Sequence, residues 1–233
     1  NASNVQSGKL CRFSRPYLRD YRVGEVKNPK IRLAVAVAAS SAFPPFLSPL
    51  ELKLKDSDFT PGTGSDLQHP RFTTNMMLTD GGVYDNLGLE TVWKAFDTVL
   101  VSDAGGQFSA DPDPKSDWAR HSKRILDVID SQVRALRKRQ LMESFKDRER
   151  KGTYWGIWAD VANYKPLDPP ALPCPHDRTL ALAGVSTRLA KIDETTQERL
   201  INWGYAVCDA AMRRHVEPGL SGPKEFPYPT AKI

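Results

Sequence analysis

The chain has no apolar run long enough to cross a membrane. Its best candidate, Leu33 to Ala42, falls well short of the ~20 residues that a span requires and contains Ser40 and Ser41. Nor is there a signal or transit peptide, because the opening Asn-Ala-Ser-Asn-Val-Gln-Ser-Gly has neither an apolar stretch nor basic flanks. With no initiator Met, that opening reads as the interior of a domain. Cysteine is scarce: Cys11, Cys174 and Cys208 are odd in number and far apart. They argue against a disulfide scaffold or a zinc site and for free thiols in a reducing, cytoplasmic compartment. Histidine is scarce too. His69, His121, His176 and His215 are scattered, none sharing a helix face with a second ligand, so they read as surface groups. There is no Walker loop and no Gly-x-Gly-x-x-Gly after a strand, so no metal and no nucleotide cofactor is expected. Ser221-Gly-Pro-Lys224 matches Ser-x-x-Lys only by chance, since Gly and Pro forbid the helical start that such a pair needs.

What is present describes a globular protein: 233 residues, 40% hydrophobic and 26% charged, without internal repeats. Such a chain can bury roughly 70% of its unfolded surface and needs no staple. A net charge of +5 favours anionic surfaces, either lipid head groups or nucleic acid. The excess is local, with eleven Lys/Arg against five Asp/Glu between Arg120 and Lys151. In the same stretch Ile125, Ile129, Val133 and Leu136 recur at helical spacing, and Leu141 and Phe145 continue them with a drift. The result is a basic amphipathic helix. Its positive face could hold an anionic lipid or protein partner, or be solvated and laced with ion pairs. Aromatics are not interleaved with the charges, so no nucleic-acid partner is expected.

Along the chain, Arg32 to Ser41 reads as a buried helix and Leu50 to Lys55 alternates as a half-buried strand. Phe72 to Thr79 reads as a strand, Leu87 to Phe96 as a short helix and Thr98 to Ser102 as a buried strand. That succession is a βαβ signal, predicting adjacent parallel strands. Lys151 to Val161 reads as another strand. Thr195-Thr-Gln-Glu198 reads as a capping box opening a last helix to about His215, and a Pro- and Gly-rich surface strap follows from Glu217.

The sharpest motif is Asp80-Gly-Gly-Val-Tyr-Asp-Asn86. A carboxylate ends a strand, and two glycines allow a tight turn that leaves room beside it. Strand ends are where α/β proteins keep their chemistry. Asp103, in Val99-Leu-Val-Ser-Asp-Ala-Gly-Gly106, ends a second strand and is the rival site.

Ala38-Ala-Ser-Ser-Ala-Phe-Pro-Pro-Phe46, followed about 35 residues later by Asp80-Gly-Gly-Val-Tyr-Asp-Asn86, resembles the second half of a patatin-like phospholipase domain. The opening residues 1–8 resemble that family too. Ser186-Thr-Arg-Leu and Leu200-Ile-Asn-Trp-Gly-Tyr205 are similar to its bacterial members, from many of which Gly88 departs where they carry Pro. The resemblance covers nearly the whole chain. It implies a three-layer α/β/α domain with a mainly parallel central sheet, residues 1–233 being its C-terminal portion and the N-terminal part lying elsewhere. It further implies lipid acyl ester hydrolysis by a Ser–Asp dyad without histidine, on a phospholipid or related ester; the basic charge adds the expectation of a peripheral place at an anionic membrane surface. Asp80 would be the catalytic base, supported by Gly81, Gly82 and Asn86, and Asp103 would be structural. Neither Gly-x-Ser-x-Gly nor a Gly-Gly-Gly oxyanion loop occurs in the sequence, so nucleophile and oxyanion donors are expected from the N-terminal half of the domain.

Overall fold

The computed structural model describes residues 1–187 and 190–233, so Arg188 and Leu189 of the Ser186-Thr-Arg-Leu block lie outside it. The chain forms two compact units, Asn1–Val92 and Trp93–Ile233.

The first unit opens with four short strands, β1 (Ala2–Asn4), β2 (Lys9–Phe13), β3 (Tyr17–Asp20) and β4 (Gly24–Lys27). Helix α1 (Leu33–Ser40), strand β5 (Leu50–Lys53), helix α2 (Pro70–Thr73), strand β6 (Asn75–Asp80) and helix α3 (Gly82–Asp85) follow. The strands form one sheet in the order β4-β3-β2-β1-β6-β5, with every neighbouring pair antiparallel. Strand β2 serves both neighbours in turn: Lys9, Leu10 and Cys11 pair with β1, while Arg12 and Phe13 pair with β3. Ala2, Cys11, Leu18, Val26, Leu52, Met76 and Leu78 form the core. Burial of a side chain such as Leu78 contributes about 1.5–3 kcal/mol. Beside that core the buried Asp20 carboxylate is saturated. It accepts the Asn4 amide (2.9 Å), the Ser7 hydroxyl and the main-chain N–H groups of Arg22 (2.9 Å) and Val23 (3.4 Å).

The second unit is built on strand β7 (Thr98–Asp103), helix α4 (Trp118–Lys146), strand β8 (Lys151–Gly156), helix α5 (His176–Ala183) and helix α6 (Glu194–His215). β7 and β8 pair in parallel, from Thr98 opposite Lys151 to Asp103 opposite Gly156, and α4 is their crossover. Trp203, Ala206, Val207, Ala210 and Ala211 of α6 supply much of the core. The C-terminal strap packs on this helix through Phe226 and Ile233, and Asn202 bonds the backbone of Tyr228 and Lys232. Among the described residues no helix is long and apolar enough to cross a membrane.

This architecture overturns the expected three-layer α/β/α fold with a mainly parallel sheet. The larger sheet is wholly antiparallel, and the only parallel pairing among the described residues is β7 with β8. Strands β6 and β7, predicted to be adjacent, lie in separate sheets. Two physical reasons account for this. Both edges of β6 are already taken by β1 and β5. And the segment between β6 and β7, although long enough for a crossover, lacks the long helix that such a connection normally uses. After α3 it holds only a short 3₁₀ turn, Leu89–Thr91, entered through Gly88 at a left-handed φ of 67°. The βαβ unit exists, but one element further along the chain.

Two local expectations also change. α1 forms where expected but is largely exposed, and only Ala39 is buried. Its Leu-Ala-Val-Ala-Val-Ala-Ala run is apolar all round and selects no single face. The cap of α6 lies two residues before the predicted one, because Asp193 accepts the Thr196 N–H at 2.9 Å and takes the capping role from Thr195.

Candidate active site

Strand β6 delivers Asp80 to its carboxyl end. Leu78 and Met76, two and four residues earlier, point into the core, so Asp80 shares their side of the strand and sits half-buried where the core ends. Its backbone is held from two directions. The Asp80 N–H donates to the Ala42 carbonyl at 2.9 Å, and the Asp80 carbonyl accepts the Ser3 hydroxyl at 2.8 Å. The next residue, Gly81, donates to the Ser40 carbonyl at 3.2 Å. Thus the end of α1 and the residues just after it, which together carry the Ala-Ser-Ser-Ala-Phe block, are laced to the Asp-Gly-Gly turn.

Space requires the first glycine and crowds the second. A Cβ on Gly81 would lie 2.5 Å from the Asn1 carbonyl oxygen, inside any allowed contact. A Cβ on Gly82 would lie 3.1 Å from Asp80 Oδ1 and 3.3 Å from Asn86 Oδ1. The same numbers bring the Asp80 carboxylate and the Asn86 amide to one point, beside the Gly82 α-carbon. Gly82 donates its own N–H to Asp80 Oδ1 at 2.7 Å, which orients the carboxylate. All four residues singled out from the sequence therefore converge. Among the described residues Asp80 Oδ2 accepts no hydrogen bond and no Lys or Arg pairs with it. Beside this turn the surface is apolar: Phe43, next to Ala42, and Val83, next to Gly82, are both about half exposed.

Asp103 occupies the matching position in the second unit and is bound quite differently. Its Oδ1 accepts the Gly105 N–H at 2.9 Å and its Oδ2 accepts the Tyr154 hydroxyl at 2.7 Å. Arg134 stands 3.8 Å from Oδ1 with both side chains mostly buried. Burial, with the neighbouring Asp103 adding to it, raises the Tyr154 phenol well above the usual tyrosine range, so it stays a donor. Both Asp103 oxygens are committed.

Two further features escape sequence reading. Ser7 and Asp20 form a Ser–Asp hydrogen bond, but Ser7 is buried and Asp20 is saturated, so no ester carbonyl can reach the hydroxyl. Thirteen residues of separation and no shared motif give no signal for it. Asp85, inside the Asp-Gly-Gly block, is buried, with Oδ2 on the Glu90 N–H at 2.6 Å and Oδ1 unbonded among the described residues. It ties the end of the motif to the following 3₁₀ turn. The three cysteines are free thiols, and burial pushes Cys174 up to about 12, far from a reactive thiolate.

Against known proteins, the chain matches no family model, no curated protein and no solved structure.

Proposed function

We propose that this chain carries the base of a serine-dependent carboxylic ester hydrolase of patatin-like type, acting on a phospholipid or related acyl ester. The reading rests on the Asp80 site itself, not on the parallel core that the family resemblance implied. The observation that carries it is a half-buried strand-end carboxylate oriented by one main-chain N–H, with its second oxygen open and no cation to quench it. A carboxylate so placed can accept a proton, whereas one locked in an ion pair cannot. The half-exposed Phe43 and Val83 beside it suit an acyl chain.

In this reading Asp80 Oδ2 takes the proton of a serine hydroxyl supplied by a segment outside these 233 residues. The serine oxygen attacks the ester carbonyl. Asp80 returns the proton to the departing alcohol, and an acyl-enzyme remains. Water, deprotonated by Asp80, then releases the fatty acid, and the proton passes back to the serine. Asn86 and Gly82 keep the carboxylate aimed, and oxyanion donors come from the same outside segment.

The test is ester hydrolysis by the full-length protein and its Asp80→Asn variant. A fall of at least about 10²–10⁴-fold in kcat, with unchanged circular dichroism, is expected for loss of the base. Turnover near wild type would end the proposal. A fluorophosphonate probe sharpens it: labelling is expected on a serine outside residues 1–233, and stoichiometric labelling within them would move the nucleophile into this chain.

A further inference from the structure

Helix α4 turns its apolar stripe away from its own unit. Trp118, Ile125, Ile129, Val133 and Leu136 fall on one arc at helical spacing, and all are exposed, Trp118 at 83%. The opposite arc, which faces β7 and β8, is largely polar. Arg134 bonds the Gly106 carbonyl and stands by Asp103, and Lys138 lies over the Tyr154 ring at 4.2 Å. Only near the C-terminal end, where Leu141 and Phe145 have drifted round the helix, do apolar side chains pack inward. α6 is the control in the same unit, because its apolar face is buried. An exposed stripe of this length therefore needs a partner.

Charge selects that partner. α4 carries eight Lys/Arg against three Asp/Glu. The stripe is bordered by Arg137 on one side and by Arg139 and Lys146 on the other, while Lys123, further round, pairs with Asp127 at 2.7 Å. Two copies of α4 paired through the stripe would set these cations against each other, with two acids, Asp130 and Glu143, on that face, so self-pairing leaves a net repulsion. An apolar strip flanked by cations, with a Trp at one end, matches a surface that is apolar beneath and anionic above. We propose that α4 lies flat on an anionic lipid surface, its stripe at the headgroup–acyl boundary and its flanking cations on the lipid phosphates. This inference stands apart from ester hydrolysis, and either can fail without the other.

The experiment is flotation of the full-length protein with phosphatidylcholine vesicles and with vesicles containing phosphatidylglycerol. Binding to the anionic vesicles only, falling as salt rises, is expected. Arg139→Gln with Lys146→Gln should weaken it about 25-fold, near fivefold for each cation. Ile129→Gln with Leu136→Gln should weaken it at least tenfold. Both pairs are exposed, so circular dichroism should match wild type. Three results would overturn the proposal: equal partitioning of the wild type onto neutral and anionic vesicles, no binding to either, or anionic binding that the α4 variants leave unchanged. A solution dimer that the Ile129/Leu136 variant dissociates would assign the stripe to a second copy and equally overturn it.

Discussion

Asp80 and Asp103 end their strands in near-identical sequence, Asp-Gly-Gly and Asp-Ala-Gly-Gly, yet the two carboxylates are treated in opposite ways. In each, Oδ1 accepts the N–H two residues on, from Gly82 and from Gly105. The difference lies in what reaches the other oxygen. Asp103 meets the Tyr154 hydroxyl, delivered by the parallel partner β8, and Arg134 comes down from the crossover helix. At Asp80 the neighbouring strand β1 brings Ser3, whose hydroxyl bonds the main-chain carbonyl and leaves the carboxylate alone. A turn motif thus places a carboxylate, and the neighbours decide whether both of its oxygens are tied down or one is left open.

Exchanging the two roles by mutation would break this comparison, and the largest effect belongs to Asp80. Asp80→Asn should remove turnover by the factor given above while the melting temperature stays put. Asp103→Asn should do the reverse. Losing the carboxylate beside a mostly buried Arg134 is expected to cost about 3 kcal/mol, read as a lower denaturation midpoint, with kcat within a few-fold of wild type. If Asp103→Asn silenced an equally stable enzyme, the assignments would have to be swapped.

Glycine substitutions sharpen the contrast within the first site. Gly81→Ala should destabilise by about 1–3 kcal/mol, because its Cβ meets the Asn1 backbone, which cannot swing aside like a side chain. Gly82→Ala meets the Asp80 and Asn86 side chains at the edge of contact. Its expected signature is a loss of about tenfold in kcat from a displaced carboxylate, with stability nearly unchanged. Equal stability losses for both would mean that Gly82 serves the fold alone.

The smallest effect is at Tyr154. Its folded pKa, raised first by burial and then by the bond to Asp103, means that the neutral phenol adds stability fully below the ordinary tyrosine value, near 10, and that this is lost as pH climbs toward the folded one. Tyrosinate absorbance should therefore show one phenol resisting ionisation above pH 10, absent in Tyr154→Phe. That variant should cost about 1 kcal/mol at neutral pH and flatten the alkaline stability loss. Ordinary titration of Tyr154 would show that the phenol is neither buried nor bonded to Asp103 as described.

The local chemistry was legible in the residues. β6, β7 and β8, the basic amphipathic helix, the terminal helix and its strap follow from periodicity and turn residues within a few positions of each other. So does the convergence of Asp80, Gly81, Gly82 and Asn86, since both glycines follow Asp80 directly and Asn86 closes the short helix α3 that they open. The sheet was not legible. A strand pattern records which side chains are buried but not which strand lies alongside or in which direction it runs. The crossover was assigned to residues 87–96, when the true one is α4, because helical spacing alone does not show how far an element must reach.

Sequence by itself determined the elements, the tight turn at Asp80 and the amphipathic character of α4, all set by interactions between residues close in the chain. Tertiary structure alone decided that β6 lies between β1 and β5 in an antiparallel sheet, that Tyr154 and Arg134 close on Asp103, and that α4 shows its apolar stripe outward. Each of these depends on contacts between residues far apart in the chain, which no local pattern encodes. An amphipathic period creates two faces, and only the packed neighbours choose which of them is covered.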